Sequence, residues 1–512
     1  MLRCLLQSHS LWQKAMYKLA IAVSACAAYR GQVRRLELSA QARNKIDSGR
    51  SLAMLLLGGD QAAAFVPADA QPRTRKISRV PAAPRAAASN PGELPTVVVG
   101  GGIVGLTAAY YLAQEGQPVT VVEQASIGCH ASGLSGGFLA DGDSGWHSGA
   151  LEQLAAHSFA LHEQLAEELG AEEIGYKRVR CVGRSQPGER SDTTPAWLED
   201  GFTQLMGEES FCAQVTPSKF MSKLQAKVQS SGAEVVIAKA TGVEMEDGKA
   251  SALNVEHDGK QWSIPCSSLI LAMGPWAKDA TAWFPSSSLP RCTVGNCYTS
   301  VTWNDAEVGK YGTMVHILGE NKVEIYPRED EIYAVGSPTL MPLADDPTDI
   351  KPDQKEVDRV KAEAASAVSH LRDTEVSDFD AWFEATSDDG LPVIGTVPNT
   401  ENVVISCAGG RFAFLNGPAM GQAAASIILD AAPFMNLLPF DPARFDVSKI
   451  CKAQQAGVPS HLLGLAARYP AVISLVKVES DRKKTLDKLD QLYKILQKDP
   501  TVAKKLESML GR

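Results

Sequence analysis

Gly100, Gly102 and Gly105 form a GxGxxG spacing between a short apolar run, Thr96–Val99, and the helix-forming stretch LTAAYYLAQEG. The first glycine permits a tight turn. The second lets backbone approach a pyrophosphate, and the third lets the helix pack on the strand. A helix opening at that turn aims its free N–H groups and positive dipole end at phosphate, so Ile103 and Val104 belong to the same site. Glu123 follows 18 residues after Gly105, at the end of a second apolar strand, PVTVVE, with Gln124 beside it. Its carboxylate can accept both ribose hydroxyls of an adenosine and repels a 2′-phosphate. Strand, turn, helix, strand and acid in this order point to dinucleotide binding. Metal chemistry has no such support. The ten cysteines contain no CxxC and the nine histidines no HExxH, so no metal site is expected.

The elements that position these residues sit in a chain of 512 residues, long enough for two packed domains plus extensions. Apolar residues make up 45% and charged residues 21%, as in a globular protein. The net charge of −9 is unevenly spread, for residues 1–92 hold 14 Lys/Arg against 4 Asp/Glu. That basic, Ala- and Pro-rich arm cannot build a core and reads as a targeting or disordered extension over residues 1–94. The expected destination is organellar, a plastid in preference to a mitochondrion. The arm has no aromatic interleaving, so no nucleic-acid partner is expected. Its apolar run Leu19–Ala28 is too short to span a bilayer, and no transmembrane span is expected in the body from Pro95.

The stretch after Glu123 chooses between cofactors. SIGCHASGLSGGFLA is dense in small residues, including Ser132, Ser135, Gly136 and Gly137. A dehydrogenase holding NAD has no use for such a loop there, whereas a long flavin cofactor must be threaded against backbone. These residues resemble the D-amino-acid oxidase-like family of FAD-dependent oxidoreductases, and the resemblance returns three times. LILAMGPWAKD, with Gly274 and Trp276, is similar to the family's second flavin-side turn. DDGLPVIGTVPNTENVVISCAGG is similar to its C-terminal flavin segment. LNGPAMGQAAASII, with Gly417 and Pro418, is similar to its closing helix. Within the family the chain looks most like an uncharacterised eukaryotic and cyanobacterial branch.

The resemblance implies an α/β fold, a Rossmann-like FAD-binding domain that is discontinuous in sequence, with an antiparallel-sheet substrate cap. FAD-binding parts are expected at about 95–175, 213–285 and 383–432, and the cap at about 176–212 and 286–382. The backbone near Ala240 is expected to face the adenine. DG pairs at Asp247–Gly248 and Asp258–Gly259 mark hairpins. Lys355–Leu371 reads as a solvated helix. Residues 433–512 read as a helical tail whose stripe Leu486, Leu489, Tyr493 and Leu496 lies on the protein's own surface or, alternatively, contacts a partner or a membrane surface.

The chemistry the resemblance implies is hydride transfer from the carbon of a small amine or amino acid to flavin N5, giving an imine, with no obligatory protein acid or base. Backbone N–H groups at Gly417 and Pro418 are expected to stabilise the reduced flavin near N1. A substrate carboxylate would need an arginine. Arg328 in EIYPRED, with Tyr326, and Arg411 after Gly409–Gly410 are the candidates; the alternative for Arg328, and the one preferred, is a strand arginine paired with Glu329 or Glu331. The related branch carries Gly-His-Ser where this chain has Ala408-Gly409-Gly410, so a flavin-side histidine is missing. The alternative reading is therefore an FAD-binding protein of low turnover, acting as a scaffold or redox-responsive partner.

Overall fold

Residues 93–445 are described by a computed structural model, apart from loop stretches at 186–188, 193, 285–288, 290–292, 306–311 and 319–321; beyond them only positions 486, 487, 490 and 494 are described. The expectations for the N-terminal arm and the C-terminal tail fall outside these residues.

Thr96–Val99 is a continuous β-branched run, and all four residues are buried, as in a parallel strand covered on both faces. It lies inside a six-stranded sheet in the order Val393–Thr396, Val403–Cys407, Ser268–Leu271, Thr96–Val99, Val119–Glu123, Glu234–Ile237. Only the outermost strand, Val393–Thr396, runs antiparallel to its neighbour. On one face Val98, Val121 and Ile270 meet helices α1 (Ile103–Gln114), α2 (Ala150–Leu169) and α3 (Pro217–Ser230). On the other face Val97, Val99 and Leu269 meet a three-stranded meander, Lys239–Glu246, Lys249–His257 and Lys260–Pro265. Its two turns place Asp247, Gly248, Asp258 and Gly259 at positive φ, the backbone that two-residue hairpins require.

A second, eight-stranded sheet carries Arg180–Ser185, Phe202–Gly207 and the strands between Thr293 and Thr386. It is mostly antiparallel, with one departure from expectation: Thr313–Ile317 runs parallel to Arg180–Ser185. Those two strands come from separate passes of the chain through this sheet, so no hairpin constrains their direction. Helix α4 (Gln354–Ala367) corrects a second expectation. It is not merely a solvated face, because Val357, Val360 and Ala364 are buried against Val301, Trp303 and Ile325 of the sheet. Its buried stripe is of small residues, which the surrounding Lys and Glu obscure.

The last helix, α5 (Ala413–Ile428), contains Pro418 in its interior. The missing N–H takes the intrahelical donor away from the Phe414 carbonyl. Helix α2 repairs the gap. His162 Nε2 lies 3.1 Å from the carbonyl oxygens of both Phe414 and Leu415. Ser158 Oγ donates to Leu415 O at 2.6 Å and accepts from the Ala419 N–H at 3.1 Å. Carbonyls only accept, so Nε2 carries the proton, and burial keeps the imidazole neutral by pushing its pKa down to about 4.

Ser158→Ala removes both of those bonds inside the core. It is expected to destabilise the protein by about 1–3 kcal/mol, read as a fall of several degrees in thermal midpoint. An unchanged midpoint would show that α5 does not need this repair.

Candidate functional site

The C-terminal ends of the parallel strands open onto one long cleft, lined by Val99 and Gly100, Val122 and Glu123, Ala272 and Met273, and Ser406 to Ala408. Ligands of open α/β sheets bind at this edge. The cleft encloses about 1340 Å³, its mouth included. Gly100, Gly102, Ile103, Val104, Glu123, Gln124, Ser132, Ser135, Ala240, Gly274, Trp276 and Arg411 all line it. They come from positions up to 311 residues apart, Gly100 to Arg411, and the fold brings them to one wall.

Helix α1 begins at this wall. A Cβ on Gly102, its N-cap residue, would stand 3.0 Å from Ser132 Oγ, which itself accepts the Ile103 N–H at 3.0 Å. Glu123 closes the turn from the other side, accepting the Gly101 N–H at 2.7 Å and the Ala125 N–H at 3.0 Å. Burial raises its carboxyl, and these backbone donors pull the other way. His130, missed in the sequence, also lines the cleft, 4.9 Å from the Trp276 ring. Burial pushes its pKa down to about 4.

Beside the cleft lies a smaller pocket of about 580 Å³, its mouth included. Ser135, Trp382, Arg411 and Phe414 line both spaces. Gly136, Gly137 and Tyr326 line the smaller one, where Trp146, Tyr298, His316 and Glu324 join them. Gly136 is a glycine for a steric reason: a Cβ would lie 2.3 Å from the Tyr326 ring. Arg411 and Glu324 form an ion pair here. Glu324 also accepts the Tyr326 hydroxyl at 2.5 Å, and His316 Nδ1 lies 3.7 Å away. Burial alone would raise the Glu324 carboxyl, but the Arg411 guanidinium, with smaller help from His316 and the Tyr326 hydroxyl, holds it below the ordinary carboxylate range. Burial pushes the His316 imidazole down, against the pull of Glu324, and so favours its neutral form.

Two expectations are corrected. Arg328 lines neither space. Its guanidinium donates to Glu331 at 2.8 Å and to the Ser135 carbonyl at 3.0 Å, and stacks 3.8 Å over the Tyr333 ring. It ties the cap sheet to the loop under the cleft rather than offering a clamp. Gly417 and Pro418 do not open α5, which starts at Ala413, and they line neither space. The residues at the helix opening that reach the cleft are Gly410, Arg411, Ala413 and Phe414. Gly105 is a packing residue, its absent Cβ leaving room for the Gly100 carbonyl. Glu324 could have been noticed in the sequence: strand alternation puts it on the Tyr326 face of VEIYP, opposite the core residues Val323 and Ile325.

The donor set fits a flavin dinucleotide. Gly102 brings bare backbone to the cleft wall at the start of α1, an acid ends the second strand, and Ser135 Oγ is buried at the junction without a hydrogen-bond partner among the described residues.

A family model described as FAD dependent oxidoreductase matches residues 96–427. An oxidoreductase of Schizosaccharomyces pombe is 26% identical over 383 residues, covering 66% of this chain and 94% of the relative. Glycine oxidase of Bacillus subtilis is 25% identical over 363 residues, 65% of this chain and 92% of that one. The crystal structure of glycine oxidase from Geobacillus kaustophilus is similar in fold, with a TM-score of 0.56 at 19% identity, over 68% of this chain and 98% of that chain.

A depressed carboxyl stabilises the folded state above its unfolded pKa, and that contribution is lost as pH falls through the folded value. Glu324 has such a depressed carboxyl. The stability gap between wild type and Glu324→Gln, from urea unfolding, should hold steady above about pH 5 and shrink below about pH 4. A gap independent of pH would contradict the ionised Glu324.

Proposed function

The chain belongs to the FAD-dependent oxidoreductase family, and on that premise we propose that it oxidises the C–N bond of a small amine or amino acid to an imine. The observation that carries this reading is the junction at which Arg411 and Ser135 line both the dinucleotide cleft and the aromatic pocket. In this reading Gly100 to Val104 and the opening of α1 hold the pyrophosphate. Glu123 and Gln124 hold the adenosine ribose, and Ala240 lies by the adenine. Gly274, Trp276 and the backbone from Gly410 to Phe414 flank the flavin.

FAD, when bound, would supply the two-electron acceptor for a hydride from the carbon that bears the nitrogen. The side chains must hold that carbon in place and free the nitrogen lone pair. A small amine arrives as an ammonium ion and must lose one proton first. His316 lines the pocket; its buried Nδ1 has no hydrogen bond among the described residues and lies 3.7 Å from Glu324, on an imidazole that burial biases towards its neutral form. It takes that proton. The lone pair then forms the C=N bond as the hydride leaves, and the iminium gives up its second proton to solvent when the product is released as the imine. Trp146, Trp382 and Phe412 shield this chemistry from water.

Anaerobic mixing of the FAD-loaded protein with a panel of amines and amino acids should bleach the flavin absorbance with at least one of them. Gly102→Leu should purify colourless, because its side chain would occupy the pyrophosphate's place. If the wild-type flavin stays oxidised against every amine, amino acid and hydroxy acid, a scaffold with little turnover becomes the better reading.

A further inference from the structure

We propose that the pocket beside the cleft selects a small organic ammonium ion that carries no carboxylate, and that Glu324 is the residue that selects it. The inference rests on the amine-oxidation reading above and narrows its substrate. Among the described residues, Arg411 is the one Arg or Lys on the pocket wall, and Glu324 is the one carboxylate. The two are already paired. A substrate carboxylate would bring a second anion to a single guanidinium and would face Glu324 across a confined space.

Glu324 is not free to step aside. Its side chain is only 20% exposed, and the Tyr326 hydroxyl donates to it at 2.5 Å. Tyr326 is itself buried, pressed beneath the backbone of Gly136. Swinging the carboxylate out would strand a buried hydroxyl and an unpaired guanidinium.

The rest of the wall suits a cation. Tyr298 and Trp382 stack at 4.4 Å, and Phe138 and Phe412 both pack edge-on against Trp146. Aromatic faces attract alkylated ammonium groups, and more strongly where water is excluded. A carboxylate among aromatic rings offers such an ion both a counter-charge and π faces. Glu324 thus draws the cation in, and His316, on the same wall, is placed to take its proton.

The test is isothermal titration of the FAD-loaded protein with tetramethylammonium and with acetate. Neither probe has a nitrogen lone pair, so neither is an amine substrate and binding is read apart from turnover. Wild type should bind tetramethylammonium and show no saturable acetate binding. Glu324→Gln should lose about tenfold or more in tetramethylammonium affinity and gain acetate binding at the freed guanidinium. Adding Arg411→Met to that variant should abolish the acetate site. Arg411→Met alone should keep the tetramethylammonium site, which guards against a Glu324→Gln protein that fails to load FAD. The proposal is overturned if wild type binds acetate as well as Glu324→Gln does, or if Arg411→Met alone loses the cation. If selectivity behaves as expected while no amine bleaches the flavin, the oxidation reading fails and the cation site stands.

Discussion

At Gly105 there is no room for a carbon atom. A Cβ there would lie 1.9 Å from the Gly100 carbonyl oxygen, and one at Gly421 would lie 2.1 Å from Thr107 Oγ1. These two near-contacts clamp α1 between the first strand and α5. Thr107 strengthens the second contact, its hydroxyl lying 2.6 Å from the Ile103 carbonyl and 3.2 Å from that of Gly417. With α1 fixed this way, its N-terminus must open onto the cleft, and α5 must lie alongside with its own opening on the same wall. The direction of both helices, and so the placing of the donors they offer, follows from side chains that are not there.

Glycine and alanine recur along the cleft, whereas aromatic and charged side chains dominate the neighbouring pocket. Gly100, Gly102, Ala238, Ala240, Ala408, Gly409 and Gly410, all small, line the cleft. The pocket is walled by Trp, Tyr, Phe and one ion pair, with Tyr298, Glu324, Tyr326 and Trp382 on the second sheet. A cradle of small residues suits a cofactor common to many relatives, while a side-chain wall can change its chemistry by substitution. Arg328 and Arg411 divide the labour at the seam. Arg328 is spent holding the cap to the Ser135 carbonyl, and Arg411 stands between the two spaces.

The legibility of these parts in the sequence follows the distance over which each is encoded. The turn from Gly100 to Gly105, its flanking strands and the two DG hairpins are local, so spacing and residue type reveal them. The Glu324–Arg411 pair joins residues 87 apart, and Arg328 meets Ser135 across 193 residues. No periodicity carries such partners, and Arg328 among aromatic and acidic neighbours admits both a clamp and a tie. Pro418 misled for a different reason. Proline favours the first turn of a helix, but α5 tolerates it in the interior because Ser158 and His162 arrive from α2 to serve the orphaned carbonyls. The small-residue stripe of α4 was hidden because Ala and Val among Lys and Glu make a weak apolar signal.

The missing flavin-side histidine has a steric counterpart. A Cβ at Gly409 would lie 2.8 Å from the Ala413 Cα, so the turn into α5 is built without a side chain at that point. Whatever chemistry the pocket performs falls to His316, Glu324 and the aromatic wall. All of this presupposes that the cleft holds one flavin dinucleotide. The most direct measurement is to denature the purified protein and quantify the released cofactor by chromatography against FAD, FMN and NAD standards. One FAD per chain is the expected result. Stoichiometric NAD, or a folded protein that neither carries nor takes up FAD, would contradict it.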